Sequence, residues 1–558
     1  MSAAVVLLTP LVALLATMAG GRALRTAVWV APLVPLALLV PLAGGEAVDL
    51  PPVLLGMRLG ADDVTLPVLA LTALAWGLAG WLARDRLAGA SRSFWIGWYA
   101  SLLGMALALL AQNLSAFYAG YVVVSLSAYL MVVESRTAAA FRAGRVYLVM
   151  AIAGEAAILS GVILIAGRFG NVEFATLLDP ANAPARAAAA ALFLAGFAVK
   201  LGIIPLHFWL PLAHPIAPVP ASAILSGVIV KAGLVGWLRL APAPGLEGPR
   251  AGWFLLVLGL LTAFGGVLLG LTQSRLKTVL AYSTVSQMGL VLAGFSAGYL
   301  GGASAGLVAT TLGLFALHHG LNKGALFLAA ACAPGASRVR LALFAASALA
   351  LAAAPFTSGY LAKSLLKDAL YGSVPGIVIT LLSVSSAATA LLLWRAWRIA
   401  AADISDAPLH PAWPVLAGAG LVVPWAWAAS RGLASAPSAS SLWDATWPLL
   451  LAAAVVVLAR RLRAPAIPEG DIVVPLERAV GAVVGALAAA GRALGSVRPT
   501  SGTAPAGPGV PTAPAGPGVP GALVARVESR LRKLPVTGLV LLGVGVAVWL
   551  FIRLVTLP

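Results

Sequence analysis

KLGIIPLHFWLPLAHPIAPVPASAILSGVIVKAG, residues 200–233, is an apolar stretch broken by prolines and carrying a lysine near each end, Lys200 and Lys231. It joins two apolar runs that overlap it, 187–210 and 218–240. Each is about long enough, at roughly 20 residues, to cross a hydrocarbon core as a helix. About sixteen such runs recur from Val5 to Ile552. Strands in a membrane barrel alternate toward lipid and lumen in segments of about ten residues, whereas these runs are continuous and rich in Ala and Leu. The sequence therefore predicts an all-α polytopic membrane protein.

Composition agrees. Over 558 residues 61% are hydrophobic and 10% charged, with mean hydropathy +1.00, far from the usage of soluble domains. The formal charge of +18 would suggest nucleic acid in a soluble protein. Here the arginines lie mostly in short connections between apolar runs and read as topology signals, so no nucleic-acid partner is expected. Arg84, Arg86 and Arg92, then Arg142 and Arg145, Arg275, Arg338 and Arg340, Arg395 and Arg398, and Arg460, Arg461 and Arg463 fall in odd-numbered connections. The even ones are neutral or acidic, as at Glu46, Asp49, Asp62 and Asp63. The odd connections are accordingly expected in the cytoplasm, with the N-terminus outside. The first run, Val5 to Ala19, lacks a preceding basic region and a clear cleavage site, and is expected to be a retained helix.

Seven lysines stand against twenty-nine arginines. Four of the seven, Lys200, Lys231, Lys323 and Lys363, sit inside apolar spans, where each costs about 2.5–3.5 kcal/mol on insertion scales. A desolvated lysine can release its proton, while a guanidinium stays charged. Titratable cations inside the membrane point to ion translocation rather than to anchoring. The one carboxylate well inside a predicted span is Glu155, so most of these lysines lack an obvious acidic partner in the chain.

Two of the lysine-bearing spans are interrupted. Lys200 precedes Pro205 and Pro211, and Lys363 follows Pro355 and Gly359 in PFTSGYLAK. Proline within a membrane helix frees carbonyls that water or neighbours must satisfy, and paired interrupted helices point to an ion path. The histidines of the membrane region are His207, His214, His318 and His319. His319 shares a helix face with Lys323, four residues on, and is the better proton relay; His318 reads as structural. No ligand spacing suggests haem or another metal. The single cysteine, Cys332, excludes a cluster held by several cysteines of this chain, and no glycine-rich phosphate or dinucleotide loop is present. No cofactor or metal is expected, and any redox chemistry would belong to partners.

Beyond residue 470 the pattern changes. Over 471–497, Val473, Val474, Leu476, Val480 and Leu487 are interleaved with Glu477, Arg478 and Arg492, which predicts an amphipathic helix lying at the interface. TAPAGPGVP then occurs twice, from Thr503 to Pro520, too rich in Pro and Gly for a stable helix, and makes 498–521 a linker. Arg526, Glu528, Arg530, Arg532 and Lys533 form a basic juxtamembrane segment before a terminal anchor, together 522–558.

The 200–233 run resembles the signature of the antiporter-like family. That family comprises proton-pumping membrane subunits of respiratory complex I, large membrane subunits of group 4 hydrogenases and formate hydrogenlyase, and subunits of Mrp cation/proton antiporters. RLKTVLAYSTVSQMGLVLAGF from Arg275 and HHGLNKGALFLAAA from His318 agree with it, and the resemblance covers roughly 55–397. It implies about 14 core transmembrane helices, with N-terminal helices over 1–92, two inverted five-helix repeats at 93–240 and 252–399, each with a broken helix, and C-terminal helices at 412–460. It further implies that Lys200, Lys231, His319, Lys323 and Lys363 lie on a central hydrophilic axis, that Glu155 stands beside the first unit's channel, and that Lys277 matches the family lysine at the start of the tenth span. The sequence departs from the family at two positions. Val122 stands where the fifth span usually carries a glutamate, after Tyr121 in place of tryptophan, and Leu212 stands where many relatives carry an acid. Glu134 and Glu155 are the candidate substitutes.

The resemblance implies a proton (or cation/proton) translocating subunit of a multisubunit energy-converting complex in the inner (plasma) membrane. Its partners would be other antiporter-like or small membrane subunits, the lipid bilayer, and protons or Na+. Such a complex could be an NADH:quinone oxidoreductase-like or hydrogenase-like enzyme. The alternatives are a proton-coupled partner of an inorganic-carbon uptake module, or a scaffold that no longer transports.

Overall fold

The computed structural model describes residues 2–44, 47–50, 56–177, 183–241, 249–434, 436–458 and 467–468. The lateral helix, linker and terminal anchor expected over 471–558 lie outside these residues. Among them the chain is built of helices: α1 (Ser2–Ala19), α2 (Gly21–Val30), α3 (Leu66–Arg86), α4 (Arg92–Leu110), α5 (Leu114–Val132), α6 (Ala138–Phe169), the one-turn α7 (Phe174–Leu177) and α8 (Ala183–Leu201). Then come α9 (Trp209–Ile216), α10 (Val219–Ile224), α11 (Lys231–Leu240), α12 (Pro249–Leu271), α13 (Leu276–Tyr299), α14 (Ala305–Ala329), α15 (Arg338–Leu351), α16 (Ser358–Leu370), α17 (Gly376–Ala401), α18 (Ala412–Ser430) and α19 (Ala439–Leu458). Ten helices among the described residues are long and apolar enough to cross a membrane, eleven if the bent pair Gly21–Val30 and Val34–Ala43 is one span.

Helix ends follow local chemistry. Ser91, Thr137, Ser304, Ser337 and Thr357 each accept a backbone N–H three residues on and open α4, α6, α14, α15 and α16, the usual work of an N-cap hydroxyl. The expected breaks are present. After Lys200 the chain leaves α8 through Gly202, at φ +71°, a left-handed conformation that glycine takes without a Cβ clash. Pro205 then keeps 202–208 from continuing the helix. Before Lys363 the chain leaves α15 and passes through Ala353, Pro355 and Phe356, the first and last with positive φ, before α16 begins.

Helices α13 and α10–α11 are enclosed by protein, whereas α19 lies mostly on the periphery. The core is therefore the part that carries the lysines. One feature departs from an all-helical chain: Val48–Leu50 and Met57–Leu59 pair antiparallel, Asp49 opposite Arg58. This hairpin lies between apolar runs, and Arg58 closes it with an ion pair to Glu173 at 2.6 Å.

Connections predicted for one side of the membrane meet one another. Arg86 donates to the Pro408 carbonyl (2.9 Å), Arg340 to that of Ala407 (2.9 Å), His410 to Asp85 (3.0 Å), and the Ser91 N–H to Glu134 (2.7 Å). At the other end Arg239 pairs with Asp62 and Arg431 with Asp63, both at 2.7 Å. The connections that carry Arg86, Glu134, Arg340 and His410 thus share one end of the helices, and Asp62 and Asp63, with Arg239 and Arg431, occupy the other.

Candidate functional site: three groups around buried lysines

Lys200 is the penultimate residue of α8, beside the break, and is 5% exposed. Its ammonium donates to Ser125 Oγ of α5 at 2.9 Å and reaches Tyr147 Oη of α6 at 3.5 Å, with the rings of Tyr121 and Tyr147 each 5.8 Å away. Glu155 joins the same group: it lines one small cavity with Tyr121, Ser125, Tyr147, Lys200 and Trp209. Both its carboxylate oxygens are buried, and neither has a hydrogen bond of good geometry to a described residue. A buried carboxylate without a donor is costly unless it is paired, hydrated or protonated, which marks this cavity as a place where a proton or water matters.

Of the two candidate substitutes for the fifth-span acid, Glu134 sits elsewhere, accepting from the backbone and hydroxyl of Ser91. Val122 is half-buried and outside the cavity; Ser125, three residues on, is the α5 group that holds the lysine.

The second group is built around a helix crossing. Between α10 and α11 the residues Leu225–Ile229 form a π-helical turn, a wider turn often found at functional sites. The Ser226 carbonyl accepts from the Lys231 ammonium at 2.8 Å. This segment crosses α14 at Gly227 and Gly320, where a Cβ on Gly320 would stand 2.5 Å from the Gly227 oxygen and one on Gly227 2.9 Å from the Gly320 oxygen. Only two glycines permit that approach, and it brings Lys231 Nζ to 2.8 Å from His319 Nδ1. One turn further along α14, Lys323 donates to the Leu280 carbonyl of α13 at 2.8 Å. Thr284 Oγ1 bonds that same carbonyl at 3.2 Å and meets Ser226 Oγ at 2.6 Å. Lys231, His319 and Lys323, with Ser226, Thr284 and Leu280, thus form a polar cluster sealed inside three helices.

Lys363 forms the third group. It is 5% exposed and donates to Ser386 Oγ of α17 at 2.7 Å. One turn on, Lys367 pairs with Asp444 of α19. Lys277 stands apart: half-buried at the start of α13, it donates to the Ala217 carbonyl at 2.5 Å. His318 is held by Ser358 Oγ at 2.8 Å, beside Asn322, in keeping with a structural histidine.

Sequence reasoning did not identify the hydroxyls of Ser125, Tyr147, Ser226, Thr284 and Ser386. A Ser or Thr in an apolar helix usually bonds its own preceding turn, so its presence says little about a distant lysine. Asp444 lies within the predicted C-terminal helices, 412–460, but close to the start of α19, which hid it as a partner for Lys367. Arg239, 2% exposed, was also missed.

A family model described as NADH:quinone oxidoreductase/Mrp antiporter, transmembrane, matches residues 111–390. Hydrogenase-4 component B of Escherichia coli (strain K12) is 34% identical over 238 residues, 41% of this chain and 35% of that one. Formate hydrogenlyase subunit 3 of the same organism is 33% identical over 229 residues, 40% of this chain and 37% of that one. The chain thus spans little more than a third of these curated relatives. A chain in the structure of the Mrp complex from Dietzia sp. DQ12-45-1b superposes with a TM-score of 0.69 at 20% identity, over 91% of this chain and 64% of that chain, a likeness of fold. The matched residues include α5 through most of α17, and with them all the buried lysines described above: the chain belongs to the NADH:quinone oxidoreductase/Mrp antiporter transmembrane family.

Proposed function

We propose that this chain moves protons across the plasma membrane along the three lysine groups, as an antiporter-like subunit of a multisubunit energy-converting complex. One observation carries the reading: Lys200, Lys231, Lys323 and Lys363 are each held by a hydroxyl, a carbonyl or an imidazole rather than by a carboxylate bonded to the ammonium. A cation kept only for structure is favoured by a permanent counter-ion, because an unpaired buried charge is costly. Neutral partners serve the lysine in both protonation states, accepting from the ammonium and, in the case of a hydroxyl, donating to the amine.

In this reading Glu155 and Lys200 exchange protons in the first cavity, Lys231 passes one to His319 directly, and Lys323 and Lys363 continue the line. Bridging water, in this reading, carries the proton between the three groups. Lys277 would set the field at the start of α13. On the same reading the chain has about 14 core helices, with inverted five-helix units at 93–240 and 252–399 flanked by 1–92 and 412–460. The break beside Lys200 and the break before Lys363 stand at corresponding places in the two units. A neighbour in an Mrp complex and a relative named as a hydrogenase component support a place beside other membrane subunits, which would supply the drive.

The test is proton movement in inside-out membrane vesicles after an imposed pH step, normalised to the amount of chain. Lys200→Met and Lys363→Met should each abolish the part of the signal that depends on this chain. Unchanged flux in both would refute the reading.

A further inference from the structure

Resting on that reading, we propose that Asp444 of α19, with Lys367, forms the outer gate of the proton path: Asp444 takes the proton that Lys363 gives up and passes it to the outside. Lys363 and Lys367 are one turn apart on α16 and so share a face. From Lys363 a polar track leads across α17. Its ammonium donates to Ser386 Oγ at 2.7 Å; Ser383, one turn earlier on α17, donates to Asp444 Oδ1 at 3.0 Å; and Lys367 closes on the other carboxylate oxygen. Trp447 Nε1 lies 3.4 Å from Oδ1, and Tyr360 Oη meets Ser441 Oγ at 2.7 Å, fixing α19 against α16 beside the track.

Exposure rises along it. Lys363 is 5% exposed as a residue, the Lys367 side chain 13% and that of Asp444 43%. The track therefore leads from the sealed interior to the surface. The end it reaches is that of the acidic Asp62–Asp63 connection: Arg431, between α18 and α19, pairs there with Asp63, and the connection 371–375 that follows α16 has no arginine, whereas the opposite end of α17 carries Arg395 and Arg398. By the charge asymmetry this is the outer face. The track also reaches beyond residues 111–390 that the family model matches, onto a helix of its own.

The proton balance is simple. With Lys367 closed on it, Asp444 is an anion and the exit is shut. When the Lys363 ammonium gives its proton through the serine hydroxyls or water to the Asp444 carboxylate, Lys363 becomes a neutral amine and Asp444 a neutral acid. The ion pair with Lys367 is lost, Lys367 swings free, and the acid releases its proton to outer water. Asp444, an anion again, recaptures Lys367.

The experiment uses the full chain with its native partners in inside-out vesicles, with flux per mole of chain after a pH step. Asp444→Asn is expected to lower flux about a hundredfold or more, the scale of a lost proton-transfer group, and Asp444→Glu to restore most of it. Lys367→Met should retain flux but add a passive proton leak. If Asp444→Asn reduces only the amount of chain and leaves flux per mole unchanged, or if Lys367→Met and Asp444→Asn behave alike, the pair is a structural clamp and the proposal falls. Lys363→Met separates the two levels. A block there with normal Asp444→Asn overturns the gate alone, whereas normal flux in Lys363→Met overturns the path as well.

Discussion

The Lys231 ammonium lies 2.8 Å from Nδ1 of His319, and neither side chain has any measurable exposure. This direct contact between two titratable groups allows a proton to pass with no intervening water. In the proposed function His319 is a carrier rather than a wedge. His319→Gln keeps a hydrogen-bonding group of similar reach but cannot cycle a proton at neutral pH. Proton flux per assembled chain should fall by about a hundredfold or more, the scale of lost acid–base participation, with the yield of assembled chain unchanged. Flux in vesicles against quantified chain checks this.

The contact depends on Gly227 and Gly320. Gly320→Ala puts a Cβ 2.5 Å from a backbone oxygen that cannot swing away, so α10 and α14 must separate. Such overpacking costs about 1–3 kcal/mol, and the Lys231–His319 distance grows with it. Gly306→Ala on the same α14, with nothing within 4 Å, should be neutral in thermal unfolding of the detergent-solubilised chain. Equal melting of the two variants would show that the crossing is not tight.

Glu155 should take the place of the missing fifth-span acid. Glu155→Gln is expected to damage flux about as much as Lys200→Met, because both remove a proton-exchanging group from one cavity. Val122→Glu should not rescue it, since Val122 lies outside that cavity; Ser125→Asp, beside the ammonium, should do so in part. Flux normalised to assembled chain distinguishes these outcomes, and an active, fully assembled Glu155→Gln would eliminate the substitution.

Two ion pairs at the acidic end differ in weight although both measure 2.7 Å. The Arg239 side chain is 2% exposed and its partner Asp62 35%, whereas Arg431 and Asp63 are 37% and 78%. Asp62→Ala strands a buried guanidinium, at a cost approaching the 3–5 kcal/mol or so of a broken buried pair. Asp63→Ala breaks a surface pair worth about 0–1 kcal/mol. Thermal unfolding of the two variants should show a clear drop for the first and almost none for the second.

Much of this was legible in the sequence because lipid makes polarity conspicuous. A lysine in an apolar run stands out whatever its partners, and Pro205 and Pro355 mark breaks by removing backbone donors. Both breaks fall where expected, and α18 begins at residue 412, where the predicted C-terminal helices do. The single span expected at 187–210 ends as a helix at Leu201 and runs on through the break to the start of α9 at Trp209, since hydropathy continues smoothly through a break. The partners were not legible. Whether Ser125 faces Lys200 or Ser386 faces Lys363 is decided by helix rotation and crossing, which long-range packing sets. The Gly227–Gly320 approach joins residues nearly a hundred positions apart, and nothing in either local pattern announces the other.

The central claim is that the buried lysines exchange protons rather than supply a fixed positive charge. Replacing each by arginine tests it most directly, since a guanidinium keeps the charge and cannot release it. Proton flux per assembled chain in Lys200→Arg, Lys231→Arg and Lys363→Arg is predicted to be as low as in the corresponding methionine variants. Full flux in any of the three would contradict the claim at that position and leave it a fixed cation.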